Sequence, residues 1–137
     1  MKYMSFNSSC SYAGVANMLE QYGFDTEDKI IAIDIGLPYL FSYKNGVYLA
    51  GPMLQTAEWF NLYLNPRRFS MSETVIPKNE VCRFFQNTKC AMIGVEVSDG
   101  NKHAVVFAVL RMVSTGLSII SGSRRMNLIG CYWVKKI

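Results

Sequence analysis

Apolar residues recur at helical spacing near the start of the chain. Over residues 11–22 they return every three or four positions, which places them on one face of an amphipathic helix, and Gly23 predicts its end. The segment DTEDKIIAIDIG predicts a second helix. Either Asp25 or Thr26 can cap it, acidic residues fill its first turn, and Gly36 ends it.

Three further elements are predicted before the last third of the chain. The segment LFSYKNGVYLAG predicts a β-hairpin, because Asn45-Gly46 suits a tight primed turn between two strands. The segment PMLQTAEWFNLYL predicts a helix with Pro52 at its first position and a break near Asn65-Pro66. A short helix follows at about residues 77–87.

The pattern then changes from helices to strands. CAMIGVEVS, HAVVFAVLRM, LSIISG and IGCYWVKK each predict a strand, with short links between them. Helices followed by an antiparallel sheet indicate an α+β fold with the helices packed on one face of the sheet. We expect a single domain over residues 1–137, with a helical half at about 10–88 and a sheet half at about 89–137.

Composition limits the classes of function. The 137 residues carry a net charge of +4, and the cations are scattered along the chain. A nucleic-acid-binding protein more often concentrates them on one helix or groove, so we expect no nucleic-acid partner. No stretch approaches the roughly 18 apolar residues of a membrane span. We expect no membrane partner and, without the layout of a secretory signal, a cytoplasmic location; the oligomeric state stays open.

The four cysteines indicate free thiols. Cys10, Cys82, Cys90 and Cys131 are widely and unequally spaced, which in a reducing compartment favours unpaired thiols. A zinc site built from the last three and His103 is the alternative, but no CxxC pair supports it. We therefore expect no metal and no organic cofactor.

Cys10 is the candidate nucleophile. A cysteine reacts as its thiolate, and a helix N-terminus and a nearby imidazolium each stabilise that anion. Cys10 follows the capping residues NSS, and the backbone N–H groups of Cys10 and Ser11 suit an oxyanion. The single histidine, His103, opens a strongly apolar strand. The alternative is a buried structural thiol and a solvated histidine.

A cysteine at a helix start, followed much later by a histidine at a strand start, is the chain order of papain-like cysteine enzymes. The segment SSCSYAGVANMLEQYGFDTED resembles the opening of the bacterial bacteriocin-processing (double-glycine) peptidases. The segment GFDTED with the later IGL is also similar to the N-terminal domain of the butirosin-pathway acyltransferase. KHAVVFAVL and LSIISG resemble the histidine strand and its successor in both groups. The resemblance implies a papain-like fold with Cys10 as nucleophile and His103 as general base, acting on a peptide or acyl substrate.

The chain departs from the family pattern at several positions. Ser11 stands where the peptidases have glycine, and Met4 stands where they have a glutamine that donates to the oxyanion. Asn7 is the nearest amide that could replace that donor. Ser121 occupies the place of the aspartate that orients the histidine, and Asn127 is the alternative for this role.

These departures leave other functions open. The same fold with an inactive site would serve as a binding module for a leader peptide or a partner protein. A structural domain in which Cys10 is simply buried is the remaining alternative. The carboxylates of Asp25, Glu27 and Asp28 are explained by the helix dipole, and the stripe of Met53, Trp59, Phe60 and Tyr63 is expected to be core.

Overall fold

A computed structural model describes residues 2–6, 9–50, 55–88, 90–96, 102–108 and 127–137. Within these ranges the side chains at the following positions are not described: 42, 44, 48–50, 78, 81, 82, 95, 96, 102, 103, 107, 108 and 127–130. Pro52, Asn7, Ser121 and the predicted strand LSIISG lie outside the described residues.

The first helix is confirmed close to its predicted bounds. It is α1, Cys10–Glu20, and Gly23 follows it with φ of +77°. The N–H of Phe24 donates to the carbonyl of Leu19 at 3.1 Å, and that of Gly23 donates to Glu20 at 3.0 Å. These two bonds form the Schellman end of a helix, which glycine favours because it adopts positive φ without strain.

The second helix, α2, spans Asp28–Asp34, so the predicted caps are wrong. Glu27 occupies the N-cap position, with extended backbone and no side-chain cap bond. Thr26 instead forms a buried hydrogen bond of 3.0 Å between its hydroxyl and that of Tyr63, and Asp25 pairs with Lys2. Both side chains are engaged in tertiary contacts and therefore do not cap the helix.

The third helix, α3, spans Ala57–Leu64 and starts later than predicted. The hydroxyl of Thr56 accepts a hydrogen bond of 3.2 Å from the N–H of Trp59, which is ordinary N-cap geometry. A 3-10 turn at Asn65–Arg67 ends the helix where the break was predicted. The fourth helix, α4, spans Val81–Asn87.

The described residues form six strands: β1 Phe41–Lys44, β2 Val47–Ala50, β3 Phe69–Thr74, β4 Cys90–Glu96, β5 Lys102–Ala108 and β6 Asn127–Lys136. The first two form the predicted hairpin, and Asn45 and Gly46 both have positive φ, as a type I′ turn requires. The other four form an antiparallel sheet in the order β3-β6-β4-β5. The predicted α+β class is confirmed, but β3 was not predicted.

The core lies between the helices and one face of the sheet. Gly14 of α1 brings the helix close to the sheet, since a Cβ there would lie 2.5 Å from Sδ of Met92 and 3.3 Å from Cγ2 of Val106. On the opposite face, Phe84 of α4 contacts Trp133 of β6 edge to face, with 5.6 Å between the ring centroids. The prediction that the helices pack on one face of the sheet is therefore wrong for α4. The largest fully buried hydrophobic side chains, all under 2% exposed, are Tyr12, Phe60, Met18, Leu19, Ile31, Leu64, Met92, Val15 and Cys131.

None of the helices in the described part of the chain combines the length and the hydrophobicity needed to cross a bilayer.

Candidate functional site

Cys10 is the first residue of α1, as predicted, and it is partly exposed. The first hydrogen bond within the helix runs from the N–H of Ala13 to the carbonyl of Ser9 at 2.9 Å. The N–H groups of Cys10 and Ser11 therefore precede the regular ladder of the helix and point out of its positive end. Such groups are suited to hold an anion beside the thiol.

Ser11 is buried, at 6% exposed, and its side chain is turned into the protein. Its hydroxyl donates a 2.5 Å hydrogen bond to Oε1 of Gln55. Gln55 immediately precedes Thr56, the N-cap of α3, so this bond joins the starts of two helices. The sequence did not identify Gln55, because its partner lies 44 residues away in the chain and no local pattern connects them.

Tyr12 anchors the start of α1 in the core. Its fully buried ring packs against Phe60 of α3 and against Phe6, with 4.9 Å and 5.8 Å between the ring centroids. Burial raises the pKa of its phenol to about 12, although the nearby indole of Trp59 acts in the opposite direction. The indole N–H is itself buried and makes no hydrogen bond of regular geometry with any described group. The Cys10 segment is thus held against α3 by buried aromatic contacts.

Asp28 holds the segment that precedes Cys10. It is 1% exposed, and its carboxylate accepts hydrogen bonds from the hydroxyl of Ser9 at 2.8 Å and the N–H of Ser5 at 2.7 Å. The hydroxyl of Ser5 and the N–H of Lys29 donate to its other oxygen. Burial by itself would raise the pKa of this carboxyl, but these hydrogen bonds outweigh burial and lower it.

The prediction that dipole effects alone explain Asp28 is therefore incomplete. One signal in the sequence could have revealed its burial. Asp28, Ile31 and Ala32 share the i, i+3, i+4 spacing of one helix face, and Ile31 and Ala32 are both buried. A carboxylate on the apolar face of a helix requires several donors, and the serines at positions 5 and 9 provide them.

The N-terminal segment is also fixed at its far end. Lys2 and Asn17 of α1 exchange two hydrogen bonds, from the Lys2 N–H to Oδ1 at 2.7 Å and from Nδ2 to the Lys2 carbonyl at 2.9 Å. Met4, at the position where the resemblance predicts a glutamine donor, is 57% exposed between these two attachments.

An open apolar groove lies beside this segment, with a volume of about 260 Å³. It is lined by Phe6, Lys29, Ala32, Ile33, Leu37 and Pro38. The ring of Phe6 forms part of its wall and also contacts Tyr12, two residues after Cys10. A second open groove of about 380 Å³ lies between the end of β3 and α4. Its lining includes no residue of the Cys10 site, so the apolar groove is the more relevant to Cys10.

His103 belongs to β5, where its backbone is paired with Val95, but its side chain is outside the described part. Val106 packs against Gly14 of α1, whereas Val105 is 47% exposed. The Cys10–His103 pair stays a prediction.

The remaining site residues are not brought together by the described contacts. Asn127 begins β6 opposite Glu96, and its side chain is among those not described. Its predicted orienting role is untested, as are the roles of Asn7 and Ser121.

The other cysteines do not join the site among the described residues. Cys90 and Cys131 are buried, and burial raises the pKa of the Cys131 thiol. The side chain of Cys82 is not described. The described side chains include no group of three or more His, Cys, Asp or Glu residues placed to hold a metal ion.

Comparisons with protein-family models, with characterised proteins and with solved structures gave no match. The resemblance to the bacteriocin-processing peptidases accordingly stays a prediction, and the function is inferred from the geometry around Cys10.

Proposed function

We propose that this protein is a cysteine-dependent peptide or amide hydrolase of the bacteriocin-processing type, with Cys10 as nucleophile and His103 as general base. One observation carries the proposal. Cys10 is partly exposed at the first position of α1, while the serines on either side of it are buried and bonded to Asp28 and Gln55. The backbone around Cys10 is thus fixed, and the residue itself is partly exposed.

The proposed chemistry is acyl transfer through a thioester. Sγ of Cys10 attacks the substrate carbonyl as the thiol proton passes to His103, and the N–H groups of Cys10 and Ser11 stabilise the oxyanion. The carbon–nitrogen bond then breaks as His103 returns the proton to the leaving amine. Water completes a hydrolysis, and an incoming amine completes a transfer. The dyad and the first half-reaction are the same in both cases.

In this proposal Gln55, one of the described side-chain amides, takes the role that Met4 cannot perform. A thioether donates no hydrogen bond, whereas the carboxamide of Gln55 is anchored by Ser11, the neighbour of the nucleophile. One oxyanion donor typically contributes about 3 kcal/mol to the stability of the transition state. The donor would then come from the start of α3 and not from the segment before the cysteine.

The apolar groove supports a substrate with a hydrophobic portion. Its lining by Phe6, Ala32, Ile33 and Leu37 suits an aliphatic or aromatic side chain, or an acyl chain. It adjoins the segment that leads into Cys10, so a peptide lying in it would approach the thiol from the N-terminal side of α1.

The proposal is tested by the rate of Cys10 alkylation against pH in the parent and in His103→Ala. Mass mapping separates Cys10 from the other thiols, and Cys10→Ser provides the blank. We expect the rate at pH 7 to fall by about tenfold or more in His103→Ala, since the imidazole takes up the thiol proton. A rate that does not depend on His103 at any pH would contradict the proposed enzymatic function.

A second candidate is a peptide-binding module without catalysis. Met4 favours it, because a thioether at this position donates no hydrogen bond to an oxyanion. In that case Cys10 alkylation shows no dependence on His103, while apolar peptides still bind the groove with a saturable affinity.

A further inference from the structure

One edge of the four-stranded sheet is closed along only part of its length. β3 is the last strand in the order β3-β6-β4-β5, so its outer side faces no other described strand. At Met71 this side is covered, because the carboxamide of Asn61 donates to the Met71 carbonyl at 3.0 Å and accepts the Met71 N–H at 2.8 Å. The edge is thus satisfied at this residue from within the molecule.

The same edge is open two residues further along β3. Backbone groups of an edge strand point alternately towards the neighbouring strand and away from it, so Glu73 directs its N–H and C=O to the same side as Met71. These two groups make no hydrogen bond with any described residue. The Glu73 side chain interacts with the phenol of its cross-strand partner Tyr132. The backbone at Glu73 is therefore available to an extended chain.

The groove between the end of β3 and α4 continues from this open edge. It has a volume of about 380 Å³, and its lining begins at Thr74, the residue next to Glu73. Val75 and Phe84 contribute apolar surface to it, and Val75 is 72% exposed. A chain that pairs with Glu73 therefore reaches the groove with its next residues, since a strand advances about 3.3 Å per residue.

Two side chains of opposite charge line this groove close to each other. Glu80 immediately precedes α4, Arg83 is its third residue, and both are exposed. The described part of the chain provides no salt bridge to either. Residues three positions apart on a helix have Cβ atoms about 5–6 Å apart. Alternate residues of an extended chain are about 6.6 Å apart, so an acid and a base two positions apart match both groups.

We propose that the open end of β3 and this groove form a docking surface for an extended segment of a partner protein, which adds to β3 as a further strand. The segment pairs its backbone with Glu73 and carries an acidic and a basic residue two positions apart, which face Arg83 and Glu80. Among the described strands this edge is opposite to β5, which contains His103. The surface is therefore separate from the proposed catalytic pair.

A second copy of this chain fits the surface poorly. In a pairing of two β3 edges, each groove would receive the segment 69–76 of the other copy. That segment, FSMSETVI, contains one acid and no base, so it leaves Glu80 without a positive partner. The charges of the groove instead favour a segment of another protein that carries both signs.

Three capped peptides test the charges of the groove: Thr-Val-Asp-Val-Lys-Val-Thr, and the two analogues with aspartate or lysine at both charged positions. We expect the parent to bind the mixed peptide about threefold more tightly than either analogue, in titrations followed by NMR. Glu80→Lys should shift the preference to the aspartate analogue, and Arg83→Glu should shift it to the lysine analogue. Arg68→Glu is the matched control, because Arg68 is exposed beyond the other end of β3. It should leave the ranking unchanged.

A pair of variants at Glu73 tests the backbone pairing. Glu73→Ala and Glu73→Pro both remove the carboxylate, but only proline removes the outward N–H, and an edge strand tolerates proline where the N–H faces solvent. We expect the mixed peptide to bind Glu73→Pro about fivefold more weakly than Glu73→Ala, the usual effect of one hydrogen bond. If Glu73→Pro does not fold, slower hydrogen exchange of the Glu73 amide in the peptide-bound parent provides the same test.

Four results would overturn the proposal. They are the absence of saturable binding by all three peptides, a ranking that is the same in the parent and both charge variants, equal affinity of the two Glu73 variants, and a dimer of the free protein that the mixed peptide dissociates. The last result, measured by sedimentation, would assign the edge to a second copy. None of these measurements involves Cys10 or His103, so the proposed function stands or fails separately.

Discussion

Asp28 makes the stability of the protein depend on pH, because its hydrogen bonds favour the charged carboxylate. An aspartate ordinarily titrates at about 3.9, and the folded protein lowers this pKa. Its contribution is therefore complete above about pH 4 and is lost as the pH falls through the lower pKa of the folded state.

This dependence can be measured against Asp28→Asn by urea unfolding at pH 7, 5 and 3. We expect the variant to be less stable by about 2 kcal/mol at pH 7, the usual value of hydrogen bonds to a charged group. The difference should shrink below about pH 4, since the parent then loses its advantage. A difference that is the same at pH 7 and pH 3 would show that the charge of Asp28 contributes nothing.

At the residue scale, local patterns identified Cys10 but not the groups that hold its segment. The apolar stripe and the small polar residues before it are sufficient to place Cys10 at a helix start. Asp28 and Gln55 act on residues that are 19 and 44 positions away in the chain. Such contacts depend on how helices pack, which no short-range pattern contains.

The side chain of Asn61 in α3 forms hydrogen bonds with the backbone of β3, as a neighbouring strand would. Its side-chain Nδ2 donates to the carbonyl of Met71 at 3.0 Å, and its Oδ1 accepts the Met71 N–H at 2.8 Å. Met71 lies in β3, an edge strand whose other side pairs with β6. The amide thus satisfies two backbone groups that would otherwise be open to another chain.

Asn61→Leu should lower the free energy of unfolding by about 2 to 3 kcal/mol, because it removes both bonds and leaves the two backbone groups unpaired. Asn87→Leu is the control, since Asn87 is an exposed helical amide with one bond, to the carbonyl of Arg83. Its cost should stay within about 0.5 kcal/mol. Equal losses in the two variants, measured by urea unfolding, would argue against the role of Asn61.

At the element scale, strong helical and hairpin signals predicted structure well, and weak strand signals did not. The segment FSMSET forms β3, with Phe69 and Met71 buried and Ser70 and Ser72 only partly so. Burial alternates with a period of two, but the segment contains only two large apolar residues. A pattern this short cannot be distinguished from that of a loop. The errors in the caps of α2 have a different origin, because Thr26 and Asp25 are used in tertiary contacts.

The whole molecule should show a steep gradient of protection from hydrogen exchange. β6 pairs on both sides and contains Cys131 and Val134, which are 0% and 2% exposed. Among the described strands, β1 and β2 of the hairpin pair with each other alone, and Phe41 and Tyr43 are 70% and 66% exposed. We expect the slowest amides at 131–134 and the fastest within 41–50. Comparable rates in the two segments would show that the hairpin is stabilised by contacts beyond its own pairing.

At this largest scale the α+β class was predictable from the order of elements, whereas the strand order was not. Phe69 pairs with Lys136, so β3, which lies between α3 and α4 in the sequence, is joined to β6, which follows much later. Several arrangements of the same strands would satisfy the same hydrophobic pattern. The choice among them is made by packing against α1 and α3.

The central position of β6 has a consequence for the folding of the chain as it is synthesised. β3 and β4 both pair with β6, and they do not pair with each other. Both leave the ribosome before residues 127–136, so each has an unfilled edge until that last segment emerges. Translation that pauses before residue 127 would hold two open strand edges in the nascent chain, the state in which it is most exposed to aggregation and most dependent on chaperones.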